Sequence, residues 1–259
     1  MIQFRCPGSC RCGTLCSVAE NLAGHIIGCP ISGETIRVPA KPYSESDWLE
    51  GTDPGEMQFG LPATVETRQL RLFALACCHR IENRLTHPLS RQALALANQY
   101  PDGWSAGDRM SELSSLFMDD YNARLAASGG DWTAMNTYDI AAAYHLTLNV
   151  FPANVASSVV EASEDRAEER SIQCQLLRCI FGNPFRPVEV DPHWLARNDG
   201  TLRQLARRIY DDRAWGDLPI LADALEDAGC AREDILAHCR GPGPHTRGCH
   251  VVDLLLAKE

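Results

Sequence analysis

No stretch of this sequence approaches the about 18 consecutive apolar residues that a transmembrane helix needs, so a helical membrane protein is not expected and no membrane partner is either. The opening Met-Ile-Gln-Phe-Arg-Cys has neither a cationic n-region nor an apolar h-region. No signal peptide is therefore expected, and the expected compartment is the cytoplasm. Positive charge is scarce: 24 Lys and Arg stand against 34 Asp and Glu, a net charge of −10. An acidic chain is repelled by phosphate backbones, which excludes a general nucleic-acid binder. Lysine is nearly missing, with Lys41 and Lys258 standing alone beside many arginines. The phosphate-binding P-loop, the G-x-G-x-x-G turn, the H-E-x-x-H zinc helix and the G-x-S-x-G nucleophile elbow are all lacking. No internal repeat is visible.

What is present describes an ordinary globule, with 45% hydrophobic and 22% charged residues over 259 positions. That length suits one large domain or two small ones. The charge is uneven. Residues 1–41 carry Arg5, Arg11, Arg37 and Lys41 against Glu20 and Glu34, so this end is +2 and the remainder −12. A weak nucleic-acid contact through residues 1–41 stays open.

Twelve cysteines in a long chain without an export signal read as reduced thiols or metal ligands rather than disulfides. Cys6, Cys10, Cys12, Cys16 and Cys29 lie near the start. Cys230, Cys239 and Cys249 lie near the end, among His238, His245 and His250. Cys77, Cys78, Cys174 and Cys179 fall within helical patterns and are expected to be small buried apolar residues.

The periodicity predicts a mainly α protein: a helical body preceded by a small β-rich knuckle. Gly and Pro punctuate residues 1–41, and Thr35-Ile-Arg-Val38 alternates like a strand that Pro39 stops. Ser46 is placed to cap a short helix through Trp48. Apolar spacings of three and four then predict helices over about 64–85, from Pro88 to Tyr100, over 105–127 and over 133–150. One long helix is predicted from Ala153 to Phe181, with its charged middle, Glu161 to Arg170, on a solvated face. Asn183-Pro-Phe-Arg-Pro-Val188 should be extended. Helices over Thr201–Arg213, Leu218–Ala228 and Ala231–Arg240 follow, and Val251–Leu256 is a last short helix or strand. Three parts result: a knuckle over 1–41, a helical domain over 42–182, and a C-terminal helical subdomain over 183–259 packed on the preceding helices.

The knuckle reads Phe4-Arg-Cys-Pro-Gly-Ser-Cys-Arg-Cys-Gly13, Val18-Ala-Glu-Asn-Leu-Ala-Gly24, Cys29-Pro-Ile-Ser-Gly33 and Ile36-Arg-Val-Pro39. It resembles small bacterial zinc ribbons written C-P-x-C-G twice. The resemblance implies a structural zinc ion on Cys12, Cys29 and either Cys6 or Cys10. Two residues are extra in the first pair, and Ser32 stands where the fourth cysteine belongs, so Cys16 or His25 is in line as the fourth ligand. A knuckle that keeps the fold without metal is the alternative.

Asp47-Trp-Leu-Glu-Gly-Thr-Asp-Pro-Gly-Glu-Met57, Arg71-Leu-Phe-Ala-Leu-Ala-Cys-Cys-His-Arg80 and Phe181-Gly-Asn-Pro-Phe-Arg-Pro-Val188 resemble segments of a paralogous family of uncharacterised bacterial proteins. So do Leu218-Pro-Ile-Leu-Ala-Asp-Ala-Leu-Glu-Asp-Ala-Gly-Cys230 and His238-Cys-Arg-Gly-Pro-Gly-Pro-His-Thr-Arg-Gly-Cys249, which runs into Val251-Val-Asp-Leu-Leu-Leu256. That resemblance implies homology over most of residues 44–259 and brings no activity with it. The family usually carries an aromatic residue where this chain has His250.

His238, Cys239, His245 and Cys249 have the content of a metal site, but H-C-x5-H-x3-C is not a standard zinc spacing. Adjacent helical residues point about 100° apart, so His238 and Cys239 could hardly share an ion. The competing expectation is a rigid Gly-Pro turn with His245 bonded to a helix end and Cys249 packed. The expected function is a non-enzymatic protein-interaction module with a structural zinc site and another protein as partner. The alternative is a hydrolase-like metal enzyme built on the C-terminal cluster, with Cys77, Cys78 or His79 brought near by folding.

Overall fold

A computed structural model of the chain describes residues 2–6, 15–19, 23–29, 33–38, 43–61, 67–100, 107–129, 138–148, 152–196 and 200–258. The protein is mainly α with a small antiparallel β knuckle at its start, as the periodicity predicts. It divides into two compact units, Met1–Cys174 and Gln175–Glu259. The division falls inside a helix rather than at residue 182.

In the first unit, strand β1 (Ile2–Arg5) pairs with β2 (Leu15–Val18), setting Phe4 opposite Cys16. Strand β3 (Ile26–Gly28) pairs with β4 (Thr35–Arg37), setting Ile27 opposite Ile36. Alternation along a strand puts Phe4 and Cys6 on one face, and they join Cys16, Cys29, Ile36 and Val38 in one buried cluster. Helix α1 (Glu45–Glu50) starts at Ser44 rather than Ser46. Ser44 and Asp47 exchange hydrogen bonds as a capping box, while Ser46 donates to Glu50 instead. Helix α2 (Pro54–Phe59) has Asp53 as N-cap and Pro54 in its first turn. It was not foreseen from periodicity because six residues hold too few apolar positions. Its Phe59 ring stacks on Phe4 at 5.0 Å.

Helices α3 (Thr67–Arg80), α4 (Pro88–Gln99), α5 (Gly107–Ala127) and α6 (Tyr138–Thr147) follow the predicted spacing. Ala93 of α4, Leu113 and Phe117 of α5 and Ala143 of α6 share one buried cluster. The predicted helix from Ala153 to Phe181 is two helices, α7 (Pro152–Ala162) and α8 (Arg166–Phe181). Asp165 makes the break. Its carboxylate accepts from the backbone N–H groups of Ala167 and Glu168, which caps a new helix within the charged stretch. Glu164, left outside both helices, pairs with Arg84, and Arg84 also donates to the Ala162 carbonyl at the end of α7.

Cys174 and Gln175 lie within α8, so the second unit begins with the last turns of that helix. Phe181 is followed by a turn rather than by extended chain: Asn183 accepts from the Phe185 N–H through its side chain and from Arg186 through its carbonyl. Short α9 (Pro192–Ala196), also not foreseen, precedes α10 (Thr201–Asp212), α11 (Leu218–Asp227), α12 (Glu233–Arg240) and α13 (His250–Leu256). Residues 250–256 are thus helix, not strand. Leu202, Ala206 and Ile209 of α10 pack with Leu218, Leu221 and Leu225 of α11, Ile235 and Leu236 of α12, and Val251, Val252 and Leu255 of α13. Among the described residues no helix is long and apolar enough to cross a membrane.

The inward stripe of α10 is the test of this packing. Ile209 is fully buried, whereas Ile220 on α11 is 57% exposed. Ile209→Ala is expected to cost about 2–5 kcal/mol, and Ile220→Ala no more than about 0.5 kcal/mol, in the urea midpoint followed by far-ultraviolet circular dichroism. Equal effects would contradict this core.

Candidate metal centre

Three segments of the second unit bring four donors together. The last turn of α8 supplies Cys179. The last turn of α12 supplies His238. The chain that follows supplies His245 and then Cys249, which is the residue immediately before α13. The Sγ atoms of Cys179 and Cys249 and one ring nitrogen each of His238 and His245 all lie within 4.8 Å of one another. His238 Nε2 is 3.3 Å from Cys249 Sγ, and His245 Nδ1 is 3.8 Å from Cys179 Sγ. Both sulfurs are buried and both imidazoles are half-buried.

The turn between α12 and Cys249 aims His245. Gly243 has φ +90°, and a Cβ there would sit 3.0 Å from the His245 backbone nitrogen and 3.1 Å from its Cδ2. Glycine is therefore required on steric grounds. The Nε2–H of His245 donates to the Gly241 carbonyl at 3.2 Å. A carbonyl can only accept, so this bond places a hydrogen on Nε2; in the neutral ring the Nδ1 lone pair then faces Cys179. The rigid turn and the helix-end bond expected for His245 are both present, and they are what orient it as a donor.

The two thiols do not titrate alike. The Cys179 thiol donates to Cys249 and holds it well below the usual thiol range; burial opposes this, and His238 and His245 reinforce it. Cys179 itself is pushed up, first by that same bond and then by burial. Burial pulls His245 down, but its bonds to Cys249 and to the Gly241 carbonyl win and raise it. The bonds around Cys249 thus favour its thiolate form, and burial opposes it.

Cys239 does not belong to the group. It is fully buried in the helical core of the second unit, where burial pushes its thiol up. The reason is the helical offset from His238. Its place is taken by Cys179, which sequence reasoning assigned to packing alone. Cys179 is as buried as expected, but 66 residues separate it from His245. No local spacing links them.

In the knuckle, folding brings Cys6, Cys16 and Cys29 into one buried cluster. Cys10 and Cys12 lie outside the described residues, as does Ser32. His25 is exposed and bonds to the Ala23 carbonyl instead of joining that cluster. Cys77, Cys78 and His79 are accounted for within the first unit. Both thiols are fully buried, and the His79 ring bonds to Glu82 and Asn98, each at 2.9 Å. The ten described cysteines are buried and none is in a disulfide.

No family model, curated protein or solved structure matches this chain. The chain is a mainly α protein whose second unit carries a Cys2His2 cluster that could hold a metal ion.

Burial pushes the Cys78 thiol up to about 12 and raises Cys77 as well. A thiol with a raised pKa is protonated at pH 8 and is not a nucleophile. Iodoacetamide at pH 8 is therefore expected to leave Cys77 and Cys78 unmodified in the native protein and to label both after denaturation, as read by peptide mass spectrometry. Labelling of either residue in the native state would show that α3 is not packed as described.

Proposed function

We propose that the protein is a non-enzymatic protein-interaction module whose C-terminal unit is held together by a structural zinc ion. The observation that carries this reading is the Cys179–His238–His245–Cys249 cluster. Two thiolates and two imidazoles in a tetrahedral arrangement are the donor set zinc favours. Zinc bonds of about 2.3 Å to sulfur and about 2.0–2.1 Å to nitrogen give tetrahedral edges of about 3.4–3.8 Å. The two sulfur–nitrogen contacts, 3.3 and 3.8 Å, bracket the about 3.5 Å edge that such an ion would set, and all four donor atoms lie within 4.8 Å of one another.

A catalytic zinc keeps an open position for water or substrate, whereas four protein donors fill a tetrahedral ion. An ion held by all four would keep no open position, which favours a structural over a hydrolytic role. Zinc here joins the end of α8 to the chain around α12 and α13, and metal binding of that kind contributes to folding. A net charge of −10 disfavours nucleic acid as the main partner and leaves another protein as the better candidate. The cytoplasm, which keeps thiols reduced, is the compartment consistent with such a site. A second zinc on the N-terminal cysteines belongs to the same reading; Cys6, Cys16 and Cys29 share a buried apolar cluster there, whereas among the described residues the donor atoms that converge are those of the C-terminal group.

The test is the zinc content of the full chain purified under reducing conditions. Cys249→Ser and His245→Ala are each expected to remove one zinc per chain, and Cys239→Ser to remove none. Chelation should lower the melting temperature of wild type and leave that of Cys249→Ser unchanged at this site. A zinc that survives Cys249→Ser but is lost in Cys29→Ser is assigned to the knuckle. Unchanged zinc content in Cys249→Ser and His245→Ala would remove the C-terminal assignment.

A further inference from the structure

One imidazole beside the cluster supplies none of its donor atoms. His250 follows Cys249 directly and is the first residue of α13. Its Nδ1–H donates to the backbone carbonyl of Cys179 at 2.9 Å. Carbonyls in the last turn of a helix lack intrahelical partners, so this bond caps α8 at the residue that carries one of the sulfurs. The same ring packs against His238 with centroids 4.4 Å apart. His238 also meets the His245 ring edge-on at 4.9 Å. The orientation of His238 is therefore held by two neighbouring imidazoles, with Nε2 directed at Cys249.

The backbone makes room for this ring. Gly182 ends α8 with φ +58°, and a Cβ at that position would sit 2.8 Å from Cδ2 and 3.0 Å from Cγ of His250. Positive φ and close approach together require glycine there. A helix end without a Cβ, a ring lying against it, and a hydrogen bond into the same turn form one local arrangement.

We infer that His250 is the positioning residue of the metal centre, fixing Cys179 through the end of α8 and His238 through ring packing. The inference rests on the metal reading of the cluster. A preorganised donor set binds more tightly because ordering is complete before the ion arrives. Partners in the second layer of a metal site commonly contribute about 10–100-fold in affinity. His250 reaches two of the four ligands, one by a hydrogen bond and one by packing, and those contributions are separable.

The experiment uses the full chain, loaded with zinc for competition against a chelator and with cobalt(II) for absorption spectra. Wild type is expected to show the intense visible bands of tetrahedral cobalt together with sulfur-to-cobalt charge transfer. His250→Ala should weaken zinc binding about 10–100-fold and alter the cobalt bands. His250→Asn returns a donor at the Nδ1 position without the ring, and His250→Phe returns the ring without the donor. Each should recover part of the affinity. If His250→Ala fails to fold, these two variants carry the test, and each is expected to bind more weakly than wild type. Affinity and spectrum unchanged from wild type in the folded variants would overturn the positioning role while leaving the metal reading intact. A wild-type protein that holds no zinc or cobalt at Cys179 and Cys249 would overturn the metal reading and this inference together.

Discussion

Four donor side chains that meet within 4.8 Å of one another are the constraint around which the second unit is organised. Cys249 has no exposed surface, and a buried ionisable group is costly unless it is partnered. Here it is surrounded by what it needs: the Cys179 thiol, the His238 ring at 3.3 Å and the neighbouring His245. These partners come from the end of α8, the end of α12 and the connecting turn. A divalent ion among the four donors would remove the remaining penalty by charge neutralisation. Removing one partner would leave the others with a bond missing in a buried place, which is costly.

The turn from Gly241 to Gly248 serves packing and donor placement at once. His245 closes the end of α12 by donating to Gly241, and that bond turns its other nitrogen toward Cys179. Gly243 lets the backbone pass within 3.0 Å of the His245 nitrogen. On the far side, Gly182 lets the His250 ring lie against the end of α8. A structural reading and a ligand reading of these residues are therefore not alternatives. The hydrogen bonds that satisfy helix ends are the ones that fix ring orientation.

Most of the helical architecture was legible from apolar spacing because helices such as α4 and α10 bury one stripe and expose the other. The misses have physical causes. The break between α7 and α8 depends on Asp165 acting as an N-cap, and an aspartate in a charged run looks the same whether it caps or is solvated. Ser44 rather than Ser46 starts α1 because Asp47 can return its bond. Helix α2 is too short to show a period, and its start is set by Asp53 and Pro54. The chain after Phe181 turns because Asn183 accepts two backbone hydrogen bonds, a choice that the flanking prolines do not reveal.

The sequence by itself determined the chemistry available: two histidines and a cysteine within a short C-terminal stretch, glycines where the backbone must pass closely, and an acidic surface that disfavours phosphate. It also weighed against His238 and Cys239 sharing one ion without local distortion, since neighbours on a helix diverge by about 100°. Tertiary structure decided which residue completes the set. Cys179 lies 66 residues before His245 and, in sequence, is one buried helical cysteine among several, like Cys77, Cys78 and Cys174. Which of them faces an imidazole depends on how α8 meets α12 and the turn. Helix packing sets that arrangement, and local pattern does not encode it.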